Sequence, residues 1–124
     1  MGVTAYSDTA EPLPGARRVA AVDLGTNSTR LLVADVVGTD VHEVARRLVI
    51  TRLGEGVDAR RRLLPLPIAR VRNALTDFRR TAESLGAERT LAVATSAVRD
   101  AENGEAFLGS ATRCRSRRRT TACR

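Results

Sequence analysis

The sequence predicts an α/β fold: a three-stranded antiparallel meander followed by helix, strand and helix. Three observations predict it. Two β-branched and small apolar runs, residues 19–23 and 29–37, flank a short polar loop, and a Gly38-Thr39-Asp40 turn follows the second. Apolar residues at Ile68, Val71, Leu75, Phe78, Ala82 and Leu85 recur at three- and four-residue steps, which marks one face of a helix. A short apolar run at residues 89–94 then reads as a strand, with a second helical stretch behind it.

Taken in order, residues 1–18 contain Pro12, Pro14 and Gly15 without apolar periodicity and are expected to be a disordered lead-in. Residues 19–23 and 29–37 are the first two strands, and residues 41–53 the third, with His42, Glu43, Arg46 and Arg47 among its apolar positions. An arginine-rich loop at residues 58–62 leads to the first helix, where Pro67 suits the first turn and Gly86 the stop. Residues 89–94 are expected to be a fourth, buried strand, and residues 97–108 one continuous second helix. Residues 110–124 form a basic tail.

Composition narrows the function classes. At 124 residues and 43% apolar content the chain can bury one modest core. Its core must be aliphatic and alanine-rich, because Tyr6, Phe78 and Phe107 are the only aromatic residues. A net charge of +7 invites a nucleic-acid reading. The distribution argues against it: six arginines and no acid fall in residues 110–124, which leaves +1 on residues 1–109. No apolar run reaches the roughly 18 residues a membrane span needs, and residues 1–18 lack the basic patch and apolar stretch of a secretory leader. A cytoplasmic protein is therefore expected. Cys114 and Cys123 have no neighbouring thiol pair or histidine with which to complete a zinc site and read as incidental.

The polar loop at residues 23–30 carries the strongest chemical signal. Gly25 lacks a Cβ where backbone would approach a ligand. Successive amides of Gly25, Thr26 and Asn27, with the Thr26 and Ser28 hydroxyls, can form a concave donor cluster for an anion, and Asp23 at the strand end can hold a hydrated cation. An ordinary hairpin turn is the competing reading. Arg30 could reach the same anion or point to solvent. Arg99 follows Thr95 and Ser96 just past the fourth strand, where open α/β sheets place ligands. A guanidinium there can grip two phosphate oxygens at once. Thr95 and Ser96 could equally cap the next helix. Glu55 lies between Gly54 and Gly56, either in a loop that folds over substrate or as a solvated turn acid. His42, the sole histidine, reads as a surface residue with no catalytic part.

Three blocks carry a family resemblance: V-A-A-V-D-L-G-T-N-S-T-R-L-L-V-A-D at residues 19–35, T-R-L-G-E-G-V-D at residues 51–58, and A-T-S-A-V-R-D-A-E-N at residues 94–103 with F-L-G at 107–109. In these the chain resembles the exopolyphosphatase and guanosine pentaphosphate phosphatase (Ppx/GppA) family of the actin-like ATPase superfamily. The resemblance implies the first part of a ribonuclease-H-like lobe, here incomplete, with residues 19–109 as the phosphatase portion. It implies release of terminal phosphate by water from inorganic polyphosphate or guanosine pentaphosphate, with Mg2+ as cofactor. Asp23 would position hydrated magnesium. Gly25, Thr26, Asn27 and Ser28 would cradle the attacked phosphate, and Arg99 would clamp it in the active-site cleft. A homodimer is compatible with a full-length family member.

The resemblance spans residues 17–109, less than half of a family member. The family's catalytic glutamate lies in an I-S-G-x-E-E-A segment and its second phosphate loop in D-[IL]-G-G-G-S, and neither occurs here. Glu102 and Glu105 do not stand in that motif. The expectation is a truncated fragment, inactive alone, whose residues 110–124 are an out-of-frame terminus or a basic arm for nucleic acid or polyphosphate. Two other classes compete: a non-enzymatic polyphosphate- or anion-binding fragment, and another actin-like ATPase or sugar kinase. The kinase reading leaves R-L-G-E-G and T-S-A-V-R unexplained.

Overall fold

The computed structural model describes residues 11–113, with the side chains of Asp58, Ser96, Ala97 and residues 110–113 left aside. The first part of the lead-in and most of the basic tail, both singled out in the sequence, lie outside the described residues. Elements run β1 (Arg17–Leu24), β2 (Ser28–Val37), β3 (Asp40–Ile50), α1 (Val57–Arg60), α2 (Pro65–Ser84), β4 (Arg89–Ala94), α3 (Ser96–Asp100) and α4 (Gly104–Arg113). They build a four-stranded sheet in the order β3-β2-β1-β4. The first three strands pair antiparallel as a meander, and β4 lies parallel to β1. No helix among the described residues is long and apolar enough to cross a membrane.

Period-two patterning decides which face is covered. Arg18, Ala20, Val22 and Leu24 alternate inward along β1, joined by Leu31 and Val33 of β2. Against this face packs α2 through Val71, Ala74, Phe78 and Ala82, with Val98 of α3 and Phe107 of α4 completing the aliphatic core. Pro65 and Pro67 occupy the first turn of α2, where a missing N–H costs nothing. Gly86, at φ 76°, stops the helix: Ala87 N–H reaches back to the Ala82 carbonyl and Gly86 N–H to that of Glu83. Between Val33 and Ala34 the β2–β3 register shifts, leaving Val44 as a bulge.

Five expectations are corrected. β1 starts at Arg17 instead of residue 19, because Arg18 is an inward-facing core residue. β3 ends at Ile50, since residues 51–54 turn away to bond the β1–β2 loop, and the first part of the expected 58–62 loop belongs to the short helix α1, Val57–Arg60. β4 is an edge strand whose outer residues Leu91 and Val93 are 50% and 44% exposed, because helices cover only the opposite face of the sheet. The second helix is broken: Ala101 is extended at ψ 140° and the chain restarts as α4 at Gly104. The break is fixed by Asn103, whose side chain accepts from Leu63 N–H at 2.8 Å and donates to the Leu63 carbonyl at 3.0 Å.

One buried polar cluster ties the described lead-in to the fold. Arg18 and Asp35, 1% and 2% exposed, face each other across β1 and β2 with Nε–Oδ1 at 2.7 Å and Nη2–Oδ2 at 3.0 Å. Arg18 also donates to the carbonyls of Leu85 and Glu11, and Leu13 N–H donates to Asp35. The Arg18 guanidinium holds the Asp35 carboxyl below its ordinary range, and the carboxylate in turn raises Arg18.

Candidate functional site

Residues 25–27 close the β1–β2 hairpin. Gly25 N–H donates to the Ser28 carbonyl at 2.9 Å, and a Cβ on Gly25 would lie 2.6 Å from that oxygen. Glycine is therefore required by closure of the turn itself, and its amide is committed there. Thr26 and Asn27 are exposed residues, and their N–H groups donate to no described group. Arg30 Nε donates to the Ser28 hydroxyl at 3.3 Å.

A second loop grips the first from behind. Thr51 and Arg52 N–H both reach the Asn27 carbonyl at 3.0 Å, and Gly54 N–H reaches that of Thr26 at 2.9 Å. The Thr29 and Thr51 hydroxyls, both fully buried, share a 2.9 Å hydrogen bond. A Cβ on Gly54 would come within 2.3 Å of the Thr26 methyl. The G-E-G glycine thus lets its loop fold onto the backbone of the 25–28 turn. With the Thr26 and Asn27 carbonyls drawn to this side, the loop is held rigidly at both residues whose amides remain open. Glu55 projects from the same turn, half exposed, and pairs with Arg70 of α2 at 3.2 Å.

Thr95 joins the loop from the sheet side, its N–H bonded to the Leu24 carbonyl at 3.1 Å. It occupies the N-cap position of α3, but its side chain makes no capping bond, and its buried hydroxyl has no hydrogen-bond partner among the described residues. Ser96 begins α3. Arg99 stands in the last turn of that helix, exposed, its N–H bonded to the Thr95 carbonyl and its guanidinium to no described side chain. On the uncovered face Asp23 pairs in register with Arg30 on one side and Val93 on the other. Both charged residues line a groove of about 280 Å³ floored by Ala21, Leu32, Leu48 and Leu91.

Asp23, the residues of the 25–28 turn, Arg30, Thr95, Ser96 and Arg99 therefore gather at the C-terminal ends of β1 and β4. Glu55 stands at the back of the clamp, engaged with a cation. His42 is exposed on β3, away from this end. Sequence reasoning missed the clamp, although the matching hydroxyls of Thr29 and Thr51 hinted at it. No cluster of three metal-ligating side chains occurs among the described residues. Magnesium does not require one, since it keeps several waters and commonly takes one or two carboxylates plus substrate oxygens. Asp23, an exposed carboxylate with no described ion-pair partner, fits that donor set.

An antiparallel meander, a crossover helix, a parallel fourth strand and loops gathered at the shared strand ends define an actin-like α/β lobe. The chain belongs to the Ppx/GppA phosphatase family, whose model matches residues 32–114. Exopolyphosphatase 2 of Mycobacterium tuberculosis is 51% identical over 95 residues, which cover 73% of this chain and 30% of that protein. Among solved structures, an exopolyphosphatase-like protein matches with a TM-score of 0.76 at 38% identity, over 81% of this chain and 31% of the other. The Aquifex aeolicus Ppx/GppA family member matches with a TM-score of 0.74 at 34% identity, over 79% and 32%. The chain spans about a third of the length of these relatives.

Proposed function

We propose that this chain supplies the phosphate-gripping part of an exopolyphosphatase-type site and binds the terminal phosphate of inorganic polyphosphate with the help of magnesium. One observation carries the reading: the 25–28 loop is clamped from behind through its Thr26 and Asn27 carbonyls while their amides stay open. Two successive N–H groups on a rigid turn donate to anionic oxygen without reorganisation, which is what a charged substrate rewards. The Thr26 and Ser28 hydroxyls add donors. Arg30 and Arg99 neutralise the flanking charge, and Thr95 and Ser96 complete the rim. Asp23 holds magnesium, which screens the phosphate charge when bound.

Transfer of the terminal phosphoryl group to water also needs a group that orients and deprotonates the water. Residues 1–124 contain no I-S-G-x-E-E-A segment, and neither Glu102 nor Glu105 lies at the strand ends that gather the loop. These residues are therefore expected to bind and not to turn over. Guanosine pentaphosphate also presents terminal phosphates; polyphosphate is the preferred ligand because the chain is similar to exopolyphosphatases.

The test is calorimetric titration of the chain with tripolyphosphate, with and without magnesium, for the natural sequence and for Asp23→Asn. Binding tightened by magnesium in the first and indifferent to it in the second is expected. Absence of tripolyphosphate binding in the presence of magnesium would overturn the reading.

A further inference from the structure

Helices cover one face of the four-stranded sheet, and no described element covers the other. Across that open face the strand registers set two rows of side chains. One runs Val93, Asp23, Arg30, Leu48, and the next runs Leu91, Ala21, Leu32, Arg46. Leu48, Leu91 and Val93 are 53%, 50% and 44% exposed, and with Ala21 and Leu32 they make contiguous apolar surface, the mark of a docking face. The charges set into it are not spent within the chain. Asp23 and Arg30 are register partners yet form no ion pair with each other, and Arg30 Nε turns to the Ser28 hydroxyl at 3.3 Å.

The first row has a chemical symmetry: apolar, acid, base, apolar. A second copy laid face down about a two-fold axis that runs along the strands, midway between β1 and β2, matches it at every position. Asp23 then stands over Arg30 of the second copy and Arg30 over its Asp23, while Val93 and Leu48 meet at both ends of the row. In the next row Ala21 and Leu32 exchange places in the same way, and Leu91 lies along the aliphatic stem of Arg46. Such an isologous contact closes on itself as a dimer. It is also an ordinary stacking of aligned sheets, whose twist offsets the two strand directions by roughly 30°.

We propose that this face binds a second copy of the chain, and that the dimer and the phosphate-bound form exclude each other. Four strands about 4.8 Å apart and roughly 20 Å of strand length give about 400 Å² per copy. That is about half of a standard interface, so the association is weak and reversible, with a Kd above about 1 µM. The exclusion rests on the reading of Asp23 and Arg30 given above. In the dimer Arg30 of the second copy takes the carboxylate that would hold magnesium, and the cation that would flank the phosphate is drawn to the other Asp23. Self-association therefore shuts the site, and magnesium with polyphosphate opens it.

Sedimentation equilibrium of the 124-residue chain reads the association from micromolar to millimolar concentration. About 0.15 M salt screens the +7 charge of each copy beyond roughly 8 Å. A reversible monomer–dimer equilibrium is expected. Asp23→Arg and Arg30→Asp each oppose like charges at both symmetric contacts and weaken the dimer at least about tenfold. An equal mixture of the two variants restores association as a mixed dimer, a recovery that misfolded chains cannot give. Leu48→Gln also weakens the dimer, while its tripolyphosphate binding in magnesium, followed by calorimetry, holds. Magnesium and tripolyphosphate together shift the natural chain to monomer. A natural chain that stays monomeric throughout overturns the proposal and leaves the face to another occupant. A mixture that associates no better than its components, or a Leu48→Gln dimer of natural strength, overturns it as well. Tripolyphosphate that binds while the dimer persists overturns the exclusion, whereas tripolyphosphate that fails to bind defeats the loop reading and leaves the dimer to be judged by sedimentation of the variants.

Discussion

Replacing Asp35 with alanine should be the most damaging single change at a charged position. Arg18 is 1% exposed, and its guanidinium donates to Asp35 twice, at 2.7 and 3.0 Å, and to the Leu85 and Glu11 carbonyls at 3.0 and 2.8 Å. Asp35→Ala takes away the carboxylate that this buried cation engages twice, while the two carbonyl bonds remain. Breaking one side of a buried pair typically costs about 3–5 kcal/mol, and the two surviving carbonyl bonds put this case near 3 kcal/mol. For about 100 ordered residues, that lowers the melting temperature by roughly 12–25 °C. Arg18→Met/Asp35→Leu removes both charges and should be milder, because what it orphans are neutral backbone groups at about 1 kcal/mol each. The pair also sets the acid limb. Asp35 titrates below its ordinary range in the folded state because of Arg18 and the Leu13 N–H. The unfolded chain therefore binds the proton first, and stability is fully present above about pH 4 and falls as pH drops through the lowered value. Urea unfolding followed by far-ultraviolet circular dichroism, repeated from pH 7 to pH 3, measures both. A cost under about 1 kcal/mol for Asp35→Ala, or a double variant less stable than the single, would refute the reasoning.

Two further outcomes follow from the packing. Gly104→Ala places a Cβ 1.9 Å from the Val98 carbonyl oxygen, so α3 and α4 must separate at a cost of roughly 1–3 kcal/mol, readable as a lower urea midpoint. Asn103→Ala strips Leu63 of two hydrogen bonds. It should cost about 1–2 kcal/mol and speed exchange of the Leu63 amide in hydrogen-exchange spectra.

Much of the fold was legible because its signals are local. The α2 stripe from Ile68 to Leu85, bracketed by Pro67 and Gly86, needs only the 3.6-residue period and two punctuating residues. The two hairpins needed only alternation and a turn. What escaped depends on partners far along the chain. The helix breaks at Ala101 because Asn103 serves Leu63, 40 residues away. β4 is exposed on one face because burial of a strand is decided by what covers the sheet, and its own apolar run carries no such information. Arg18 looked like the end of a polar lead-in, yet it falls two residues before Ala20 and so on the inward side of β1. Asp35 occupies the matching inward position of β2, and that shared phase was the available signal.

The candidate site divides along the same line. That residues 23–30 form a polar turn between strands is local and readable, as is the placement of Arg99 past a strand end. Why Gly25 and Gly54 must be glycine is not, because Gly25 answers to the closing carbonyl of its own turn and Gly54 to a side chain of another loop. Gly25 yields to the Ser28 carbonyl and Gly54 to the Thr26 methyl. Gly25 was credited with room for a ligand and Gly54 with a loop that folds over substrate, and both make room for protein. In the proposed reading the ligand-facing part of the loop is the pair of amides left over once the Thr26 and Asn27 carbonyls behind them have been claimed. A phosphate loop of this kind is specified as much by the segment that braces it as by its own residues, so Gly54→Ala should weaken tripolyphosphate binding without touching a single group that contacts the ligand. The displacement needed to relieve a 2.3 Å contact falls on Thr26, whose amide is one of the two donors. If Gly54→Ala bound tripolyphosphate as tightly as the natural chain, the loop would not be working through that brace.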